Sequence, residues 1–249
     1  MKKIAVFIGL IAVLLSCSKP GDCIESSGAE TFKNFEVAPF TKIFVNRGIE
    51  VILKQGPIYK VTVATGQNLI DDIVVTQDAN TLYLKDNTTC NWVREYGQTK
   101  VYITAPNVES IYSKTDRNIS SDGVVTYPIL RFFAFDQESD GFEGAGSGDF
   151  YFTINNGQIV IESNNVARFF ISGTTTQANF NLYSGDSRIE AQNLVAQNIT
   201  VFHRGSNDMM VRPIQKIEGK LVSTGNIIVK NNPPINTLQS LYTGQIIYN

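Results

Sequence analysis

Hydrophobic and polar residues alternate along most of the chain from Phe32 onward. In the stretch FTKIFVNRGIEVILKQG, Phe40 to Gly56, one face carries Ile43 and Val45, then Ile49, Val51 and Leu53, and the other face carries Lys42, Glu50 and Lys54. A period of two is typical of β-strands that bury one face. The alternation continues to Ile103, and no stretch has a convincing helical period. The pattern predicts an all-β protein.

The second half of the chain repeats a unit of about 20 residues. Gly185, Gly205, Gly225 and Gly244 are 20, 20 and 19 residues apart, each with a bulky residue before it and a strand pattern after it. Such a period in an all-strand chain indicates stacked turns of a coil. We therefore predict a right-handed, parallel β-helix-like solenoid with a glycine at positive φ at each corner. Hairpin-like strands are an alternative for the N-terminal end, and a β-sandwich is the competing architecture because some strands recur every 8–12 residues or so.

The N-terminus has the pattern of a secretory signal. Lys2 and Lys3 precede twelve apolar residues, 4–15, a run too short for an ordinary spanning helix. The run ends in Leu-Leu-Ser-Cys, which resembles the lipobox of bacterial lipoproteins. This resemblance implies cleavage before Cys17 and lipidation of that cysteine; an ordinary signal peptide is the alternative.

These features divide the chain into three parts. Residues 1–16 are predicted to be a lipoprotein signal peptide, 17–32 a lipidated tether rich in Ser and Gly, and 33–249 a single domain. Acyl chains on Cys17 would hold the protein on a lipid bilayer. The expected location is the bacterial cell envelope, where the protein would be anchored in the outer membrane, on either its periplasmic or its external face.

Cys23 and Cys90 remain as an even number of cysteines in an oxidising compartment. A disulfide between them would close a long loop. By lowering the entropy of the unfolded chain, it would stabilise the folded state by roughly 4 kcal/mol. Two unpaired thiols are the alternative.

Charge and residue types exclude several functions. The net charge is −2, without a cluster of Lys and Arg, so no nucleic-acid partner is expected. His203 is the only histidine, and we expect it at a solvent-facing corner, without a zinc or catalytic role. The acidic stretch with Asp136, Glu138 and Asp140 resembles a calcium loop only in part, and a solvated loop is the alternative.

One loop has residues typical of binding sites. Trp92, Arg94 and Tyr96 belong to the types that dominate binding hot spots and stacking platforms. They are weak candidates for ligand binding. Trp92 could instead pack beside a Cys23–Cys90 bridge.

Several motifs of this chain follow one known pattern. They are Ile43/Val45, Asn46–Gly48, Val51/Leu53, Gln55-Gly56, Val61/Val63, Asn68-Leu69, and the later GAGSGDF and STGNIIV. In these positions the chain resembles one family, DUF2807, the putative auto-transporter adhesin, head GIN domain. The sequence CNWV beside an N-terminal Cys resembles lipoprotein members from Bacteroidetes-type bacteria. The resemblance implies a β-helix-like fold on a cell envelope and an adhesin role.

Together these observations predict a non-catalytic binding, adhesion or scaffolding module without a cofactor or a metal. Its ligand would be a glycan or a protein. The alternatives are a polysaccharide-active β-helix enzyme and a structural subunit of an envelope complex. In the latter, a second subunit or an internal segment would cover the last strand, QIIYN.

Overall fold

The computed structural model describes residues 26–88, 95, 97–136 and 144–249. Within these residues the chain forms seventeen β-strands and no helix, which confirms the all-β prediction. The strands are β1 (Glu30–Phe35), β2 (Lys42–Val45), β3 (Ile49–Gln55), β4 (Lys60–Gly66), β5 (Ile73–Asp78), β6 (Thr81–Asp86), β7 (Thr99–Ala105), β8 (Ser110–Ser113), β9 (Ile119–Val125), β10 (Ile129–Ala134), β11 (Phe150–Ser163), β12 (Arg168–Leu182), β13 (Arg188–His203), β14 (Met209–Leu221), β15 (Ile227–Val229), β16 (Ile235–Ser240) and β17 (Ile246–Tyr248).

The strands pair into two walls around one core. The first wall holds β1, β4, β7, β3 and β9 in that order, followed by the first parts of β11 to β14, then β15 and β17. The second wall holds β5, β6, β2, β8 and β10, followed by the later parts of β11 to β14, then β16. Because β11 to β14 run through both walls, the described strands form one mixed sheet with a nearly closed, barrel-like shape.

Parallel neighbours in the second half of the chain are offset by one unit of the sequence repeat. In the first wall Phe150 is in register with Phe169, Phe169 with Ile189, and Ile189 with Met209. The offsets are 19, 20 and 20 residues. The repeat in the sequence is therefore the spacing between paired strands. The right-handed, parallel β-helix-like solenoid stays a prediction.

The N-terminal part contains the expected antiparallel pairs. β5 and β6 form a hairpin, and β4 lies antiparallel to both β1 and β7. The turn at residues 46–48 joins β2 and β3, which belong to different walls. It is a corner between the walls, and Gly48 adopts a φ of 78° there.

Two different structural requirements account for glycine at the repeated corner positions. Gly185 has the predicted positive φ, 78°. Gly205, Gly225 and Gly244 do not, so that explanation is wrong for these three. A Cβ on Gly225 would lie 2.2 Å from the carbonyl oxygen of Asn207, and a Cβ on Gly244 would meet the carbonyl oxygen of Gly225 at 2.1 Å. At these two corners the close approach of successive turns of backbone requires glycine.

Aromatic rings pack against one another inside the core. Phe150 and Phe169 lie on paired strands, both are completely buried, and their ring centroids are 4.8 Å apart, close to the distance between neighbouring strands, about 4.8 Å. Phe132 on β10 of the second wall is also completely buried and contacts Phe150 across the core, with centroids 4.9 Å apart. These contacts join the two walls through the core.

The last strands, β16 and β17, make the core more polar at that end. On β16, Asn236 is in register with the buried Ile217 of β14. On β17, Tyr248 is in register with the buried Val229 of β15. The Asn236 amide donates a hydrogen bond to the Tyr248 hydroxyl across the end. No described segment pairs with the outer edge of either strand, so an internal cover is wrong for the described part of the chain. A covering subunit stays a prediction.

Candidate functional site: a groove on the first wall

The site residues predicted from the sequence cannot be placed. Cys17, Cys23, Cys90, Trp92, Arg94 and Tyr96 all lie outside the described residues, as do Glu138 and Asp140 of the acidic stretch. Their predicted roles in lipidation, disulfide formation and binding stay predictions. The described residues offer a different candidate.

An open groove of about 370 Å³ lies on the first wall across β9, β11, β12 and β13. Its polar lining consists of hydroxyl and amide side chains. They are Ser120, Ser121, Thr153, Ser172, Gln192 and Asn193. Its volume falls within the range of small-molecule sites, about 300–1,000 Å³.

Two β-bulges form this groove. Between two paired positions, β9 has five residues, from Ser120 to Val124, where β11 has three, from Tyr151 to Thr153. On the other side, β13 has one more residue than β12 after the pair Phe170 and Glu190. The regular pair β11–β12 therefore lies between two irregular strands. Bulges re-aim side chains, and they are common beside functional sites.

Two stacked aromatic rings form the apolar part of the groove. The Tyr151 and Phe170 centroids are 4.7 Å apart and the ring planes differ by 3°. On its other side, Tyr151 is in register with Ser120 of β9, a side chain too small to cover a phenol ring. Tyr151 is 40% exposed. One ring face is thus supported by Phe170 and the other is open to the groove.

The position of Tyr151 is fixed at its hydroxyl as well as its ring. The hydroxyl donates a hydrogen bond to Asp149 Oδ2 over 3.4 Å. Partial burial, and then the nearby Asp149 carboxylate, raise the pKa of Tyr151. The phenol therefore stays protonated at neutral pH and can keep this hydrogen bond.

Two residues further along the strands, the groove becomes polar. The hydroxyls of Thr153 and Ser172 are 3.0 Å apart, and Ser121 accepts a hydrogen bond from the Thr153 backbone amide at 3.2 Å. Gln192, on the bulged strand, differs from these. Its Oε1 is enclosed, and no donor in the described part of the chain reaches it. Buried acceptors without a partner are rare and costly, so this amide can gain from a donor brought by a ligand.

Charge is nearly absent from the groove. Glu190 is the one charged residue among the described lining, and Arg188 pairs with its carboxylate. Arg188 also lies 3.8 Å from Asp208. The lining therefore offers no unpaired charge for an ionic ligand.

A second row of aromatic residues lies on the outer surface of the other wall. Phe44, Tyr112 and Phe133 stack with centroids 4.4 and 4.5 Å apart and planes within 13°. Tyr112 lies between the other two rings, so both of its faces are covered. The row supports the pairing of β2, β8 and β10.

His203 is buried, contrary to the solvent-facing position predicted from the sequence. Its side chain is 0% exposed. The Gly205 amide donates to Nδ1 at 3.2 Å, and Nε2 lies 2.9 Å from the Asn207 carbonyl oxygen, to which it donates. Burial lowers the pKa of His203, opposed by the backbone of Asn207 and by Asp208. The neutral imidazole thus accepts from one backbone group of the following turn and donates to another. These two hydrogen bonds pair backbone groups of the turn and allow a polar side chain to be buried at this position.

Two further observations concern metal-binding groups and membrane-spanning helices in the described part of the chain. Across residues 26–88, 95, 97–136 and 144–249, no group of three or more His, Cys, Asp or Glu side chains is placed to hold a metal ion. Over the same ranges, no helix is long and apolar enough to cross a membrane.

The comparison with protein families identifies this architecture. The family DUF2807, described as "Putative auto-transporter adhesin, head GIN domain", matches residues 39–233, which is most of the chain. The chain belongs to this family. The resemblance seen in the sequence motifs is confirmed, and the groove lies within the matched head GIN domain.

Solved structures show the same fold as this head GIN domain. A putative adhesin from Bacteroides fragilis has a TM-score of 0.79 at 20% identity, covering 90% of this chain and 100% of that chain. A putative adhesin from Parabacteroides merdae has a TM-score of 0.64 at 12% identity, with coverages of 89% and 97%. A putative lipid binding protein from Parabacteroides distasonis has a TM-score of 0.61 at 14% identity, also with coverages of 89% and 97%. No curated protein sequence matches the chain.

The groove of the head GIN domain was not predicted from the sequence. Aligning the strands after the corners would place Tyr151 and Phe170 at the same outward position, 19 residues apart. That alignment was a usable signal. The two bulges have no comparable signal, because a bulge depends on the register of the neighbouring strand.

Proposed function

We propose that this protein is a non-catalytic binding module of the bacterial cell envelope and that the groove is its ligand site. The observation that carries the proposal is the open ring face of Tyr151, held on a rigid wall beside hydroxyl and amide groups. Rigid aromatic surfaces with a few polar groups bind ligands at a low entropic cost. The names of the family and of its structural neighbours are consistent with a binding role.

The groove suits binding better than turnover of a polysaccharide. Glycoside hydrolysis uses a pair of carboxyl groups, one as acid and one as base or nucleophile. Among the described lining residues, Glu190 is the only carboxylate, and Arg188 holds it. Release of reducing ends from a panel of polysaccharides would favour the enzyme alternative.

The binding proposal is tested by pull-down with isolated envelope material. Purified protein with Cys17→Ala, which removes the lipidation site, should bind in a saturable manner. Tyr151→Ala should lose most of this binding. The matched control is Tyr102→Ala, since Tyr102 is a similarly exposed residue (42%) on the same wall, outside the groove. Equal loss in both variants, or no binding by the unaltered groove, would contradict the proposal.

We also propose the three-part organisation: signal peptide 1–16, lipidated tether 17–32 and one domain 33–249, folded as a right-handed β-helix-like coil. Acyl chains on Cys17 would place the module at the membrane. In cells, Cys17→Ala should move the protein from the membrane fraction to the soluble fraction. Retention in the membrane fraction would show that another feature anchors it.

A Cys23–Cys90 disulfide would fasten the tether to the domain. Protein unfolded without reductant should then contain no reactive thiol, as measured by alkylation and mass spectrometry. Two alkylated cysteines would contradict the bridge. Trp92, Arg94 and Tyr96 stay weaker binding candidates, to be tested by the same pull-down.

A further inference from the structure

We infer that the groove binds a neutral carbohydrate, with one pyranose ring stacked on the open face of Tyr151. The inference rests on the proposed binding function and adds the chemical class of the ligand. It follows from three properties of the described groove lining: the open ring face, the hydrogen-bonding groups beside it and the absence of Lys and Arg side chains.

The open face of Tyr151 matches the apolar face of a sugar. An aromatic ring carries negative potential on its faces. The axial C–H groups on one face of a pyranose carry small positive charges and expose little oxygen, so the two faces attract. Phe170 stacks on the opposite face of Tyr151 and Asp149 fixes its hydroxyl. The ring is therefore already in its binding orientation.

The polar lining matches the hydroxyl groups at the edge of a sugar. Each hydroxyl or amide side chain in the groove can donate and accept, as can a sugar hydroxyl. Gln192 adds a specific requirement, because its Oε1 lacks a donor within the described structure. Turning this amide toward the groove would give the oxygen a sugar hydroxyl as its partner. A purely apolar ligand would leave it unsatisfied.

The electrostatics of the groove favour a neutral sugar over an anionic ligand. None of the described lining residues is Lys or Arg, so a phosphate or carboxylate would have no cationic partner there. An anionic lipid headgroup and an acidic sugar are both disfavoured for this reason. The open shape of the groove leaves room for further sugar units along the wall, as in an oligosaccharide.

The test uses an array of neutral and acidic oligosaccharides, followed by calorimetry with the bound ones. Tyr151→Ala should weaken binding of a neutral glycan by about tenfold or more, the loss expected for a principal aromatic contact. Tyr151→Phe keeps the ring and should retain most of the affinity. Gln192→Ala should weaken binding through loss of one hydrogen-bonding group. Tyr102→Ala, three strands away at about 14 Å, should have no effect.

The outcomes separate this inference from the proposed function. Neutral glycan binding that follows the Tyr151 variants as expected supports both. Binding of vesicles of phosphatidylglycerol alone, or of acidic glycans alone, overturns the assignment to a neutral carbohydrate. A third outcome is that no glycan on the array binds but Tyr151→Ala still abolishes binding of envelope material. That outcome overturns the carbohydrate assignment and leaves the proposed function standing. Failure to bind both envelope material and glycans overturns both. Circular dichroism of each variant excludes loss of fold as the cause.

Discussion

The buried His203 makes the protein sensitive to mild acid. In the folded state its imidazole is neutral, accepting from Gly205 and donating to Asn207, and burial lowers its pKa. In the unfolded chain the pKa of histidine is about 6.5. Below that pH the unfolded state binds a proton that the folded state excludes. The stability from His203 is therefore complete above about pH 6.5 and decreases as the pH falls below it.

The size of the effect follows from the one proton involved. A difference of one bound proton changes the free energy of unfolding by at most about 1.4 kcal/mol per pH unit. Asp208 opposes the shift, so the slope reaches this limit only where the folded imidazole stays neutral. Carboxyl groups also titrate in acid, so the slope must be compared with that of a variant that has no titrating group at this position.

The assay is urea unfolding of the wild type, His203→Gln and His203→Leu between about pH 8 and about pH 5. His203→Leu is a reasonable packing control, because His203 is in register with Leu182 and Leu221. Above about pH 7 the difference in stability between wild type and variant should be constant. Below about pH 6.5 the wild type should lose stability faster than either variant. Parallel curves over the whole range would refute the reasoning.

Three further predictions concern the fold and are measured by urea or thermal unfolding. Gly219→Ala should lower the free energy of unfolding by at least about 1–2 kcal/mol, because Gly219 has a φ of 132° and a Cβ there would lie 1.9 Å from the Val201 carbonyl oxygen. An unchanged melting temperature would contradict this prediction. Phe150→Ala should lower the free energy of unfolding by about 3–5 kcal/mol, and Phe150→Leu by much less, because Phe150 is fully buried between two ring partners and alanine would leave the larger cavity. Equal losses in the two variants would refute this explanation. Tyr127→Phe should lower the free energy of unfolding by about 1–2 kcal/mol, because the buried hydroxyl donates a hydrogen bond to the Ala105 carbonyl oxygen at 3.0 Å. Burial raises the pKa of Tyr127, so the hydroxyl keeps its proton. An unchanged urea midpoint would show that this hydrogen bond does not stabilise the fold.

The sequence predicted those features that depend on local alternation or on the repeat. Ile43, Val45 and Leu53 were expected to face inward, and all three are fully buried. The 20-residue spacing of glycines anticipated the offset between paired strands in the second half. Both predictions succeed because the alternation within a strand and the length of a repeated unit can be read directly from the sequence.

The unpredicted features depend on relations between distant segments. The turn at residues 46–48 looks like a hairpin turn in the sequence, yet it joins two walls, because β2 pairs with β6 and β8 while β3 pairs with β7 and β9. His203 lies in a polar context in the sequence, but strand alternation directs it into the core. Its burial is possible only because the following turn supplies a backbone donor and a backbone acceptor.

The groove is located where the repeat is irregular, and this gives a final prediction. β12 and β13 are offset by 20 residues up to Phe170, and by 21 from Ser172 onward. Deletion of Gln192 would restore an offset of 20 along the whole pair and remove the bulge on that side. The variant should therefore fold, with a circular dichroism spectrum of β type, but lose binding of glycan and envelope material. Gln192→Ala is the matched control, since it removes the same side chain but leaves the register intact, and it should weaken binding less than the deletion does. If deletion of Gln192 left binding unchanged, the bulge would not be what forms the site; if it unfolded the protein, the extra residue would be required for the fold and the groove would be a by-product of it.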